Sequence, residues 1–258
     1  MRKGLSNCYS FRMDLSKRVA LLAGGKRIGS VVAIEMARRG ADIGLCYNRS
    51  RAEAEATAEK IKALGRRVFI KQANLTQAHD CEVFINESVA ALGRLDVLIN
   101  MASIYVHIPF DDLSVEQFDE NVNVDLRAAF VCSRAAVPHL RKAGGGHIIN
   151  FSDWLSRSGR PRYTGYLPYY VAKTGVIGLT EALALELAPD KIFVNAVAPG
   201  PILAPPNTTE EELGAVEKST PLGGWGGEMA IAEAVLALLS FSFVTGETIR
   251  VDGGRHVR

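Results

Sequence analysis

The sequence predicts an α/β fold in which a doubly wound, parallel, seven-stranded sheet carries helices on both faces. Three observations point to it. Short, almost continuously apolar runs alternate with amphipathic helical stretches along nearly the whole chain; turn residues bound each run; and a glycine turn joins the first run to the first helical stretch. Strands apolar throughout belong to a sheet buried on both faces, and parallel neighbours need crossover helices that cover those faces.

Taken in order, Val19 to Ala23 is a first strand, closed by Gly24-Gly25, and Ile28, Val31, Val32 and Met36 recur at helical spacing up to Gly40. Asp42 to Tyr47 reads as a second strand. The Ala/Glu-rich Arg51 to Leu64 is a helix of strong formers that stops at Gly65. Strand Arg67 to Gln72, helix His79 to Leu92, strand Leu95 to Asn100 and a long helix from Val115 to Leu140 follow. The series closes with strand His147 to Phe151, helix Tyr170 to Leu187, strand Ile192 to Ala196, helix Met229 to Leu239 and strand Thr248 to Val251. The Pro/Gly-rich stretch from Pro199 to Gly227 reads as a mobile loop on the substrate side. Residues 1–14 read as a flexible N-terminal extension, and residues 15–258 as one domain.

Composition narrows the class. Of 258 residues, 48% are hydrophobic and 22% charged, a globular balance. Thirty basic against 28 acidic residues leave a net charge of +2, too little for a nucleic-acid or membrane footprint. Cys8, Cys46, Cys81 and Cys132 are far apart with no Cys-x-x-Cys pairing, so free thiols, a cytoplasmic location and no metal site are expected.

In an open parallel sheet, ligands bind beyond the carboxyl ends of the strands. There the first connection reads Ala23-Gly24-Gly25-Lys26-Arg27-Ile28-Gly29, whose small residues let the backbone approach a pyrophosphate at the N-terminus of the next helix. The second strand ends Tyr47-Asn48-Arg49-Ser50, with no acid to take a ribose 2′-hydroxyl. Arg49 and Ser50, with Arg27, suit a 2′-phosphate, so NADPH is expected rather than NADH. The plainer alternative makes Arg49 and Arg51 a solvated helix start.

Tyr169 and Lys173 are four apart on one helical face, opening the helix after the fifth strand. A cation beneath a phenol is expected to lower its pKa from about 10 and let it pass a proton to a carbonyl or imine.

Over roughly Lys17 to Gly254 the chain resembles the short-chain dehydrogenase/reductase family, whose sheet is Rossmann-type. The glycine turn carries the resemblance together with Asn74-Leu75, Asn100-Met101-Ala102-Ser103, Tyr169 with Lys173, Pro199-Gly200 and the terminal Val251-Asp252-Gly253-Gly254. It implies that Asn74 and Leu75 flank the adenine, that Asn100 and Ala102 support the fourth strand and the ribose, that Ser103 belongs to the cofactor-binding set, that Lys173 bridges the nicotinamide ribose hydroxyls, and that Pro199 and Gly200 border the nicotinamide. It also implies a homotetramer, with the long helices after the fourth and fifth strands and the segment Gly246 to Arg258 at subunit contacts.

Three departures carry information. The glycine turn is one residue short, with Arg27 near the place of the middle glycine. Asp125 stands where the family has an asparagine, which holds a relay water through a helix distortion and its backbone carbonyl. Asp153 stands where the family has the serine that polarises the substrate, leaving Ser152 and Ser156 as fallback donors. With Lys26-Arg27, Asn48-Arg49-Ser50 and Met101-Ala102-Ser103, Asp153 resembles the pteridine reductase branch, in which the acid helps protonate a ring nitrogen.

The first expectation is therefore hydride transfer from NADPH to a pterin-like C=N or a C=O. The alternatives are a 3-oxoacyl-carrier-protein or general carbonyl reductase, and a nucleotide sensor that has lost turnover. Arg157 to Pro168 is expected to shape the substrate pocket, with Tyr105, Phe110, Trp154 and Trp225 as flat surfaces for a planar ring.

Overall fold

The computed structural model describes residues 14–159, 161–205 and 208–258; residues 1–13 of the expected extension lie outside these, and Asp14, which is described, accepts the Ser16 N–H at 2.8 Å. The strands are β1 Val19–Ala23, β2 Asp42–Tyr47, β3 Val68–Gln72, β4 Val97–Asn100, β5 Gly146–Phe151, β6 Ile192–Pro199 and β7 Thr248–Val251. They form one all-parallel sheet in the order β3-β2-β1-β4-β5-β6-β7. The order reverses between β1 and β4, where Ala23 pairs with Asn100, and the crevice that receives a ligand in such sheets opens at this point.

The helices are α1 Ile28–Arg38, α2 Arg51–Ala63, α3 Ala78–Leu92, α4 Val115–Val122, α5 Ala128–Ala143, α6 Trp154–Ser158, α7 Leu167–Leu187, α8 Glu210–Ser219 and α9 Gly227–Ser240. Strand alternation splits the core into two layers. Ala20 and Leu22 of β1 pack with α1 and α9 through Val32, Met36, Val235 and Leu238, whereas Val19, Leu21 and Ala23 face α3, α5 and α7 through Phe84, Cys132 and Leu187.

Three corrections concern helices. The single long helix expected over Val115 to Leu140 is two, joined by a π-helical turn at Asn123–Arg127. Helix α7 begins at Leu167 rather than Tyr170, with Pro168 in the first turn, where its missing N–H costs no helical bond. The stretch expected as a loop over Pro199 to Gly227 holds α8, started by a capping box in which Thr209 and Glu212 bond each other's backbone N–H, and β6 runs on to Pro199.

Candidate active site

A cleft of about 1820 Å³ opens beyond the carboxyl ends of the strands and is large enough for a dinucleotide and a substrate together. Its cofactor side begins at the glycine turn. Gly24 has φ +86°, and a Cβ there would stand 2.8 Å from the Ala102 backbone, so only glycine fits beside the segment leaving β4. The Gly24 N–H donates to the Cys46 thiol at 3.2 Å, and burial pushes that thiol up to about 12, so it is neutral. Arg27 occupies φ 57°, ψ −84°, a strained conformation for a residue with a side chain, and its carbonyl accepts the Ser30 and Val31 N–H groups of the first turn of α1.

Gly25, Ile28 and Gly29 continue this wall, and Asn48, Arg49 and Ser50 line it at the end of β2. Lys26 is drawn to Glu53 at 3.5 Å, whereas Arg27 and Arg49 make no ion pair among the described residues. Two exposed, uncompensated guanidiniums beside a backbone cradle with no room for a Cβ fit a phosphorylated dinucleotide. Asn74 and Leu75 line the cleft, and the loop is fixed by Asp80, which accepts the Asn74 N–H at 2.8 Å. Pro199 and Gly200 also line it, and a Cβ on Gly200 would stand 2.5 Å from the Asp252 Cβ.

The reacting end is built from α7, the exit of β5 and the π turn. Tyr169 Oη donates to Asp153 Oδ2 at 3.0 Å, while Asp153 Oδ1 accepts the Leu155 N–H and caps α6. The local cap and the contact with Tyr169 thus coexist on one carboxylate. Lys173, its side chain 3% exposed, donates to the Phe151 carbonyl at 3.0 Å and pairs with Asp125 Oδ1 at 3.1 Å. The ammonium lies 5.7 Å from the Tyr169 ring centroid.

The electrostatics correct one expectation. Burial holds the Tyr169 phenol well above its usual range, and the charges of Asp153 and Asp125 add to this; Lys173 does not reverse it because its charge is matched by Asp125. Burial also raises the Asp153 carboxyl, against the lowering effect of the Leu155 N–H, Tyr169 and Lys173. Tyr169 therefore keeps its proton at neutral pH, and Asp153 takes one up more readily than an exposed carboxyl does.

Asp125 sits in the π turn, so the expected helix distortion is present, but its side chain acts directly. The carboxylate accepts from Ser103 Oγ at 2.6 Å, the Ile104 N–H at 2.9 Å and Asn121 Nδ2 at 2.8 Å in addition to meeting Lys173. Ser103, expected at the cofactor, spends its hydroxyl on this carboxylate. Asn100, expected near the ribose, lies behind the cleft, where its amide donates to Asn150 at 2.9 Å and Ser133 at 3.2 Å and ties β4 to β5 and α5. The Ser152 hydroxyl donates to the Lys173 carbonyl at 2.8 Å, and Ser156 Oγ turns to the Tyr170 carbonyl; neither is aimed at a substrate as a spare donor.

Sequence reasoning missed Asn121, although its i,i+4 spacing to Asp125 on a helical stretch was a usable signal. It named the members of the aromatic wall, Tyr105 and the stretch Arg157 to Pro168, but not their contact with each other. Tyr105 stacks on Tyr166 at 4.4 Å and 15° and meets Tyr169 edge-on at 4.8 Å, a pairing between distant loops. Trp154 and Trp225 line the cleft, and Phe110 is 74% exposed and stands apart from it.

This fold and this cleft define a nucleotide-binding oxidoreductase, and the chain belongs to the short-chain dehydrogenase/reductase family. The family described as Enoyl-(Acyl carrier protein) reductase matches residues 23–256. The 3-oxoacyl-(acyl-carrier-protein) reductase FabG of Staphylococcus aureus is 34% identical over 249 residues, covering 95% of this chain and all of the relative. Among solved structures, a short-chain dehydrogenase/reductase from Serratia marcescens superposes with TM-score 0.88 at 28% identity, over 95% of this chain and all of the other. A blue fluorescent protein from a metagenomic library, solved in complex with NADPH, superposes with TM-score 0.85 at 30% identity, over 94% of this chain and 99% of the other.

Proposed function

We propose that the chain is an NADP(H)-dependent carbonyl reductase, acting on a ketone or 3-oxoacyl thioester. The observation that carries this reading is the Tyr169 hydroxyl at the cleft, still protonated at neutral pH, with buried Lys173 one helical turn below it. Bound NADPH supplies hydride. Arg27, Arg49 and Ser50 hold its 2′-phosphate, the backbone of Gly24 to Gly29 its pyrophosphate, and Asn74 and Leu75 its adenine. Tyr169 donates a proton to the forming alkoxide, and Lys173, fixed by Asp125 and the Phe151 carbonyl, steadies the charge that Tyr169 then carries. The relatives named for 3-oxoacyl reduction and for the NADPH complex support substrate class and cofactor respectively.

A second reading, reduction of a pterin-like C=N, is favoured by one observation: Asp153, an acid with its pKa raised by burial, is bonded to Tyr169 and can supply a proton to a ring nitrogen. NADPH oxidation with acetoacetyl thioesters, activated ketones and dihydropterins separates the readings. Turnover of the thioester or ketones is the expected result. Turnover of pterins alone transfers the assignment to the second reading, and NADPH binding without any turnover makes the chain a sensor.

The assembly we propose is a homotetramer. Phe130 on α5 and Val171 and Leu185 on α7 are apolar and 44%, 45% and 80% exposed, which supports contacts along these helices. Light scattering at the mass of four chains is expected. A cytoplasmic location is proposed on the free thiols of Cys46, Cys81 and Cys132; Cys8 lies outside the described residues. Among the described residues no helix is long and apolar enough to cross a membrane.

A further inference from the structure

The substrate end of the cleft has donors without acceptors. Arg162 and Arg255 approach the buried Trp154 indole from the loop before α7 and from the C-terminal turn, with their guanidinium carbons 5.2 and 5.4 Å from the ring centroid. Neither forms an ion pair with any carboxylate side chain among the described residues. Arg162 already donates to a main-chain oxygen of Arg258, the last residue described, and Arg255 donates to the Tyr163 hydroxyl at 2.9 Å. Arg255 Nε is buried with no partner, and so is the indole Nε1 of Trp225. All five side chains line the same cleft.

The placement is built, not incidental. Helix α6, which carries Trp154, is tied to β7 by Arg250, which donates to the Arg157 carbonyl at 2.9 Å, and by Arg157, which reaches the Thr248 carbonyl. The segment leading to Trp225 is tied to the same C-terminal turn, because the Leu222 N–H donates to the Gly253 carbonyl at 3.1 Å. A buried N–H without an acceptor is costly, and guanidiniums set against an aromatic ring keep donors free for a ligand. A ligand that brings oxyanion acceptors satisfies both.

We propose that this end of the cleft is an anion subsite, and that the substrate carries a carboxylate or phosphate remote from the carbonyl that is reduced. This rests on the carbonyl-reductase reading for the chemistry, but not for the binding. Arg162 and Arg255 hold the anionic group beside Trp154, and the unpartnered Trp225 indole N–H is a further donor in the same cleft.

The test compares kcat/KM for an oxocarboxylate, its methyl ester and the matching oxophosphate, in wild type, Arg255→Met and Arg162→Met; Arg162 is exposed, so its variant is safe for folding. Wild type is expected to prefer an anion over the ester by about 10-fold or more, chiefly through KM, and each variant to bring that ratio toward one. Whichever anion wins identifies the group. Equal kcat/KM for ester and anions, or a ratio unchanged in both variants, overturns the proposal while leaving the reductase reading intact. If no substrate turns over, quenching of the two tryptophans by the oxocarboxylate in the NADP⁺-bound protein decides alone: saturable quenching lost in Arg255→Met supports the subsite, and no quenching overturns it.

Discussion

At the scale of single residues, the chemistry turns on where protons sit. The raised carboxyl of Asp153 fixes a sign: its folded pKa exceeds the unfolded value, so its charge destabilises the fold above that pKa and has no effect where both states are protonated. Asp153→Asn, which keeps a capping oxygen, should therefore raise the unfolding temperature at neutral pH and leave it unchanged well below pH ~4. If the reaction draws on the Asp153 proton, wild-type kcat falls as pH rises through this pKa and the variant loses that limb, which a pH–rate profile would reveal. Arg49→Ala should weaken NADPH binding by about 10- to 100-fold with little change for NADH, since a charge-assisted contact to phosphate is lost; fluorescence titration with both nucleotides measures it. Tyr169 and Lys173 were legible because a helix places i and i+4 on one face. The Asp125–Lys173 pair was not, because its partners Ser103, Ile104 and Asn121 converge on the carboxylate from the exit of β4 and from α4, and no local pattern encodes such convergence.

At the scale of elements, the glycine turn shows what a strained residue costs locally. Arg27 sits at positive φ, worth roughly 1–3 kcal/mol of strain, of which glycine would recover all but its own entropy of about 0.5–1 kcal/mol. Arg27→Gly should thus raise Tm by about 2–4 °C per kcal/mol recovered while weakening NADPH binding, and calorimetry with a nucleotide titration checks the opposed signs. A variant that loses both stability and affinity would show that the turn is not strained. The π turn at Asn123–Arg127 was expected only through the family resemblance, since a helix that takes one extra residue keeps its apolar pattern almost unbroken. Helix α6 was missed because five residues are too few to show a period, and α8 because its glycine- and proline-rich surroundings masked a Thr-x-x-Glu capping box at Thr209 and Glu212 that was present in the sequence.

At the scale of the whole molecule, the sheet was legible because nearly every strand is buried on both faces and so announces itself as an apolar run bounded by turns. Strand order was not read from the sequence; it comes from the structure, and the position of the cleft follows from the reversal between β1 and β4. The same burial makes the molecule acid-sensitive away from its site. His147 on β5 is pushed down to about 4 by burial, helped by the Arg18 charge, from 6.5, and its Nδ1 has no partner. The unfolded chain therefore takes up this proton first as pH falls, and stability on the order of 3 kcal/mol is lost between pH 6.5 and 4. Denaturation midpoints over that range should fall in wild type and fall less in His147→Gln. What the sequence left dark is the meeting of distant loops at the cleft, Tyr105 on Tyr166 and Arg255 over Trp154, which depends on how the sheet brings residues about 60 and about 100 positions apart to one end. The central claim, that Tyr169 delivers the proton as hydride arrives, is tested most directly by stopped-flow oxidation of bound NADPH with a saturating ketone in wild type and Tyr169→Phe. The account predicts a rate about 10²- to 10⁴-fold lower in the variant at unchanged NADPH affinity; equal rates in the two proteins would contradict it.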